Sequence, residues 1–218
     1  MVFCLTIKFW ATIIFKGEQS MKLKDSQTYL NLARAYAAEC QARTRYEFVE
    51  YGARYNGQKA VADIIDKVAY QEFNHARMIY TALQNECKNQ IDNIEIKAGF
   101  PFKEKWNLVD NIKLLAEDEA DEAKAYTKFI KTARDEGFDD IVTLFEQIKQ
   151  VELNHKKLFE WLYKELNEKT LYKKQSETKW VCSACGHSYT SKEALDECPL
   201  CKAKQGVVEI VLPKNIIL

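Results

Sequence analysis

Two of the three histidines in this 218-residue chain follow a glutamate by three positions, as Glu72 with His75 and Glu152 with His155. On a helix that spacing sets a carboxylate and an imidazole one turn apart on the same face, so both reach one cation or two adjacent ones. The apolar neighbours turn that face inward. Val61, Ile65 and Val68 lead into the first pair, and Ile79 and Ala82 follow it; Ile141, Phe145 and Ile148 lead into the second, and Phe159 and Leu162 follow. An ionised carboxylate buried without a partner is costly and takes up a proton instead, whereas a divalent metal removes that penalty.

Two further segments bring carboxylates to the same core. Glu39 lies in the helical series Leu32, Tyr36, Glu39 and Tyr46, and Glu119 and Glu122 continue the series Ile112, Leu115, Tyr126 and Phe129. The acidic run from Glu117 to Glu122 also holds Asp118 and Asp121, on the flank of that face, which stand as the alternative ligand pair. Tyr46 and Tyr126 serve either core packing or a redox or hydrogen-bonding role. At an offset of 80 residues, without a gap, Glu39, Tyr46, Glu72 and His75 fall on Glu119, Tyr126, Glu152 and His155. Leu32, Val61, Ile65 and Val68 likewise fall on Ile112, Ile141, Phe145 and Ile148. The two halves read as copies of one unit, each giving the same groups to a shared dinuclear metal site. Glu122 has no counterpart; its place in the first copy is Ala42.

A second centre is written into the cysteines. Cys182, Cys185, Cys198 and Cys201 form two C-x2-C knuckles twelve residues apart, and four thiolates complete a tetrahedral site for iron or zinc without help from His187. Cys4, Cys40 and Cys87 are scattered, which points to a reducing cytoplasm rather than a disulfide framework.

The elements that must position these groups follow from the punctuation. Glycine (7) and proline (3) are scarce, which favours helices over turn-rich β folds. The net charge of zero excludes a basic nucleic-acid arm or a polybasic membrane surface. From about Asp25 to Leu171 the chain reads as four long amphipathic helices. Asn56-Gly57 ends the first, Gly137 ends the third, Asp139 caps the fourth, and a link from Cys87 to Lys105 separates the second from the third. Two hairpins joined by one long crossover make a ferritin-like four-helix bundle, a mainly α fold. The expected domains are a bundle over 21–172, a linker over 173–179 and a small metal-binding domain over 180–218. Residues 1–20 are a separate question. The apolar stretch Val2 to Phe15 is too short to span a bilayer and lacks the flanks of a signal peptide. It reads as an extension upstream of a natural start at Met21, with an N-terminal membrane-associating segment as the alternative.

Ala38-Glu39-Cys40-Gln41-Ala42-Arg43-Thr44-Arg45-Tyr46, Glu72-Phe73-Asn74-His75-Ala76-Arg77 and Glu152-Leu153-Asn154-His155 resemble the helix motifs of the rubrerythrin family. Trp180-Val181-Cys182 through Cys198-Pro199-Leu200-Cys201 is similar to its rubredoxin-like tail, and the resemblance runs over about 22–212 in the family's domain order. Cys40 stands where serine is usual, Ala38 where glycine is usual, and Lys202 replaces the glycine usual after the second knuckle. The spacing from Glu122 to Tyr126 is one residue shorter than in the family, which keeps Asp118 and Asp121 as an alternative match. The resemblance implies a non-haem di-iron centre that reduces hydrogen peroxide to water in oxidative-stress defence. Glu72 and Glu152 would bridge the irons, Glu39 and Glu119 would be terminal, and His155 would hold one iron. Glu122 and His75 would exchange on the other as the oxidation state changes, with Tyr46 and Tyr126 as further candidate catalytic side chains. The tail would be an Fe(Cys)4 relay fed by a rubredoxin or an NAD(P)H-dependent reductase, and the chain would act as a head-to-tail homodimer. Two readings compete: a ferritin-like ferroxidase or iron-handling protein, and a binding module whose tail is a structural zinc ribbon.

Overall fold

The computed structural model describes residues 21–85, 93–102 and 107–218. The expected extension over 1–20, Cys87 and part of the crossover lie outside the described residues. Four helices dominate: α1 (Gln27–Tyr55), α2 (Lys59–Asn85), α3 (Leu108–Asp135) and α4 (Asp139–Asn167). Ser26 begins α1, its hydroxyl accepting from the Tyr29 N–H at 3.0 Å. Glu136, just past α3, accepts from the Gln27 and Thr28 N–H groups at 3.0 and 2.8 Å, so the free donors that open α1 are met by another helix. Asn107 caps α3 through Val109 and Asp110. Gly57 and Gly137 take left-handed φ values of 76° and 82° at the two hairpin turns, where a side chain would be strained. One expectation changes: Asp139 does not cap α4. Phe138 holds that place with no side-chain cap, and Asp139 and Asp140 sit in the first turn, where their charge meets the positive end of the helix.

α1 packs on α2 and α3 on α4, with α1 against α3 joining the hairpins. The apolar core has two parts. One gathers Tyr46, Val49, Val61, Ile65, Val68, Ile112, Leu115, Phe159 and Leu162. The other gathers Leu32, Ile79, Tyr126, Ile130, Phe145 and Ile148. On every helix the carboxylates and imidazoles fall between these two parts, so each end of the polar layer is sealed by hydrocarbon. Tyr36, expected in the buried stripe, is 36% exposed and lies against Tyr80 at the surface. The buried face of α1 runs through Leu32, Ala35, Glu39 and Ala42, which leaves position 36 on its edge.

Beyond α4, residues 173–179 are not a bare linker. They form most of β1 (Lys173–Val181), which pairs antiparallel with β2 (Ser188–Glu193) and carries an irregularity between Lys173 and Thr178. Trp180 is fully buried with Ala194 and Val208, and its indole N–H donates to the Ser191 carbonyl at 3.0 Å. The chain then returns to the bundle, where Ile210, Leu212, Ile216 and Leu218 pack on the core beside Leu171. Gly206, in a 3-10 turn (Gln205–Val207), touches the α1–α2 turn so closely that a Cβ there would stand 2.0 Å from the Gly57 carbonyl oxygen. Among the described residues, no helix is long and apolar enough to cross a membrane.

Candidate metal centres

The four helices converge on two clusters that share two residues. Glu39, Glu72, His75 and Glu152 offer ligand atoms within 4.8 Å of one another, and so do Glu72, Glu119, Glu152 and His155; every member is buried. His75 Nδ1 lies 3.0 Å from Glu72 Oε2 and from Glu152 Oε1, and 3.4 Å from Glu39 Oε2. His155 Nδ1 lies 3.0 Å from Glu72 Oε1 and Glu152 Oε2, and 3.6 Å from Glu119 Oε1. Glu72 and Glu152 therefore each turn one oxygen to each imidazole. The exchange symmetry expected from the 80-residue repeat is present in space as well as in sequence.

Around this set the tyrosines cross over. The Tyr46 hydroxyl donates to Glu119 Oε1 at 2.7 Å, and the Tyr126 hydroxyl donates to Glu39 Oε1. Each first-copy tyrosine thus orients a second-copy glutamate, and the reverse. Glu122 is absent from both clusters, but its Oε2 is buried without a hydrogen-bond partner. Asp118, the alternative on α3, is turned to Arg45 in a buried ion pair, and Asp121 is exposed beside Lys124 at 2.9 Å. The sequence reading missed the Arg45 pair and Gln71, whose Oε1 is 2.7 Å from His155 Nε2. Only the flanking position of Asp118 in the acidic run hinted at the first, and no motif marked the second.

The electrostatics ask for cations. Burial pushes Glu39 and Glu122 well above the usual carboxylate range and Glu119 up to about 8, and the neighbouring carboxylates add to the rise. Burial acts on Glu72 as well, yet His155 and His75 bring it below its ordinary value. Burial lowers the basicity of both imidazoles, but Glu152, Glu39 and Glu72 hold His75 above its ordinary value, and Glu119 and Glu72 hold His155 well above. Protein groups alone leave Glu39 Oε2, Glu72 Oε1, Glu119 Oε2 and Glu152 Oε1 buried without a hydrogen-bond partner. Buried acceptors left in that state are costly, and two divalent ions bound by hard oxygen and imidazole donors satisfy them together. The donor set fits a di-iron centre.

The cysteines meet at the other centre. Cys182 and Cys198 are buried, Cys185 and Cys201 are exposed, and all four sulfurs lie within 4.8 Å of one another. The Cys182 to Cys201 and Cys185 to Cys198 Sγ pairs are each 3.7 Å apart. Backbone N–H groups shape both knuckles: Gly186 donates to the Cys182 carbonyl at 2.8 Å and Lys202 to the Cys198 carbonyl at 3.0 Å. Gly186 turns through φ 75°, and Lys202 must do the same at φ 64° with a side chain attached. The Cys201 N–H holds the Cys198 thiol down at about 6. The His187 N–H lowers Cys185, but desolvation and the three other thiols push it up to about 12. Four sulfurs this close together offer a tetrahedral site to one cation. His187 is outside the cluster, its ring stacked on Tyr189.

Comparison with known proteins agrees with this arrangement. Residues 31–179 match the rubrerythrin family model, and 180–207 match the model of the rubrerythrin rubredoxin-like domain. The rubrerythrin of Clostridium perfringens is 33% identical over 189 residues, which cover 86% of this chain and 96% of that protein. Among solved structures, fully reduced, all-ferrous nigerythrin aligns over 95% of this chain and 100% of its own, with TM-score 0.55 and 19% identity. The bacterioferritin of Desulfovibrio desulfuricans, solved with its di-iron site in different catalytic states, aligns over 65% of this chain and 80% of its own, with TM-score 0.54 and 19% identity. At that identity the two structures speak to the fold, which is ferritin-like.

Proposed function

The chain belongs to the rubrerythrin family, and from that premise we propose that it reduces hydrogen peroxide to water at the buried carboxylate layer. The observation that carries the reading is the fifth inward carboxylate. Glu122 places an unpartnered oxygen beside four glutamates and two imidazoles that already suffice for two ions. A pair of ferrous ions held there would supply the two electrons that, with two protons, take hydrogen peroxide to two waters. The protein's part is to hold and shield. Glu72 and Glu152 would hold both ions, Glu39 and Glu119 would each hold one, and the hydroxyls of Tyr126 and Tyr46 fix the orientation of those two carboxylates. His155 would hold one ion, and Glu122 and His75 would be the exchangeable ligands of the other. The apolar seals at Phe159 and Phe145 keep bulk water from the layer.

Iron held by Cys182, Cys185, Cys198 and Cys201 would supply the electron relay to that layer. Gly206 seats the small domain at the Gly57 end of its own bundle, and about 20 Å of α2, at the normal helical rise, runs from Lys59 beside that turn to Glu72. A second copy running head to tail would bring a tail closer to each centre. The relay is fed by a rubredoxin-type protein or an NAD(P)H-dependent reductase, in a cytoplasm that keeps thiols reduced. The test is to load the protein with Fe(II) and mix it with peroxide and, separately, with oxygen. Peroxide should oxidise the centre faster, and peroxide no faster than oxygen would favour the ferroxidase reading. The as-isolated protein should also show the red thiolate-to-Fe(III) absorption. A colourless Cys4 site would return the tail to structural zinc.

A further inference from the structure

The pseudo-twofold repeat makes the two histidines equivalent in sequence, yet the structure gives them different neighbours. His155 Nε2 lies 2.7 Å from Gln71 Oε1, across the α2–α4 interface. The counterpart of Gln71 in the second copy is Val151, which has no polar group to offer His75. Among the described residues, no side chain hydrogen-bonds His75 Nε2. The two rings are otherwise matched: both Nδ1 atoms face Glu72 and Glu152 at 3.0 Å, and both side chains are buried.

We infer that Gln71 is the positioning residue that makes His155 the stationary imidazole, and that Val151, by withholding the same bond, leaves His75 free to leave and return. The inference rests on the proposed exchange of His75 with Glu122 and assigns its structural cause. For Nδ1 to present a lone pair to a metal ion, the neutral ring must carry its proton on Nε2. A glutamine oxygen at that nitrogen selects this tautomer and fixes the ring plane together. A ring without such a partner must be held by its metal bond alone, and a competing carboxylate displaces it at lower cost. Glu122, which stands where the first copy has Ala42, is a second departure from the repeat, beside Gln71 against Val151.

The experiment uses the full chain loaded with zinc and labelled with 15N-histidine, so no readout depends on peroxide. The His155 Nε2–H should give a signal protected from solvent exchange, and the His75 Nε2–H should exchange at least tenfold faster. Gln71→Val should remove the His155 protection and weaken the hold on one carboxylate-bound zinc ion by about 10- to 100-fold against a competing chelator. Gln71→Glu, which keeps an acceptor oxygen, should restore both. Val151→Gln should protect the His75 proton, and it provides a second reading if Gln71→Val does not fold. Less than a tenfold difference between the two rings in the unmodified protein, or less than tenfold weakening in Gln71→Val, overturns the inference. Zinc behaviour as described in a protein that, with iron, fails to reduce peroxide would sink the peroxidase reading and leave the role of Gln71 intact.

Discussion

On the proposed reading, Glu122 is the side chain that would set a peroxide-reducing site apart from a ferritin-like one. It belongs to neither ligand cluster, so Glu122→Ala should leave iron stoichiometry unchanged while peroxide turnover falls by about tenfold or more, the scale on which groups around a metal site act. Stopped-flow oxidation by peroxide, with metal analysis on the same sample, checks this; unchanged turnover would return the exchangeable role to another group. Lys202 allows a second prediction. Its φ of 64° costs a residue with a Cβ about 1–2 kcal/mol, so Lys202→Gly should stabilise the small domain by up to about that amount, read from the midpoint of loss of Cys4 absorption in denaturant. The six side chains that cluster, Glu39, Glu72, His75, Glu119, Glu152 and His155, were legible from sequence because burial of a charge at core register is itself a contradiction that a metal resolves. Gln71 was not, since a helical repeat fixes which face a residue occupies and says nothing of which side chain on a facing helix it meets. Helical register set Asp118 on the flank and Glu119 inward, and only the structure shows that Asp118 meets Arg45.

That ion pair acts between elements. Arg45 and Asp118 join α1 to α3 one residue away from the Tyr46 to Glu119 hydrogen bond, and both side chains are no more than a tenth exposed. Removing only the cation strands a buried carboxylate, so Arg45→Ala should cost about 3–5 kcal/mol, whereas replacing both partners with Arg45→Met and Asp118→Leu should be close to neutral. Thermal unfolding of the metal-loaded variants distinguishes the cases, and a mild effect of Arg45→Ala would mean that water reaches Asp118. At this scale the four helices and their hairpin turns were readable from glycine placement and apolar spacing. The strand over 173–179 was not. Its residues are exposed or half-exposed on both faces, so no alternation marks it, and its pairing depends on β2, which lies beyond the first knuckle. The cap of α4 was misread because an aspartate two residues past a glycine fits a cap and a first turn equally well, and the backbone chose the turn.

For the whole molecule, the decisive contact is one that no local pattern encodes. Gly206 meets the Gly57 carbonyl, and Ser183, inside the first knuckle, donates both its N–H and its hydroxyl to the Val207 carbonyl, at 3.2 and 2.8 Å. The Cys4 site is thereby tied to the α1–α2 turn. A methyl at 206 has nowhere to go, because what it would strike is backbone. Gly206→Ala should therefore raise hydrogen exchange around residues 56–59 and 210–218 while the Cys4 absorption is kept; unchanged exchange would show that the domain is held by its C-terminal apolar residues alone. On the proposed relay, the same tether bears on whether electrons pass within a chain or between chains: it seats the small domain at the Gly57 end of its own bundle, and a head-to-tail pair would give each tail a second centre to serve. Mixing makes this testable: one variant loses the carboxylate centre through Glu72→Ala and Glu152→Ala, the other loses the relay through Cys182→Ser and Cys185→Ser. Each alone should be inactive with a physiological-type donor. After subunit exchange, verified by mass spectrometry of the intact assembly, activity should return, because the intact tail of the first variant then faces the intact centre of the second. If exchange is complete and activity stays absent, the relay runs inside one chain, and the tether at Gly206 must then be one that opens.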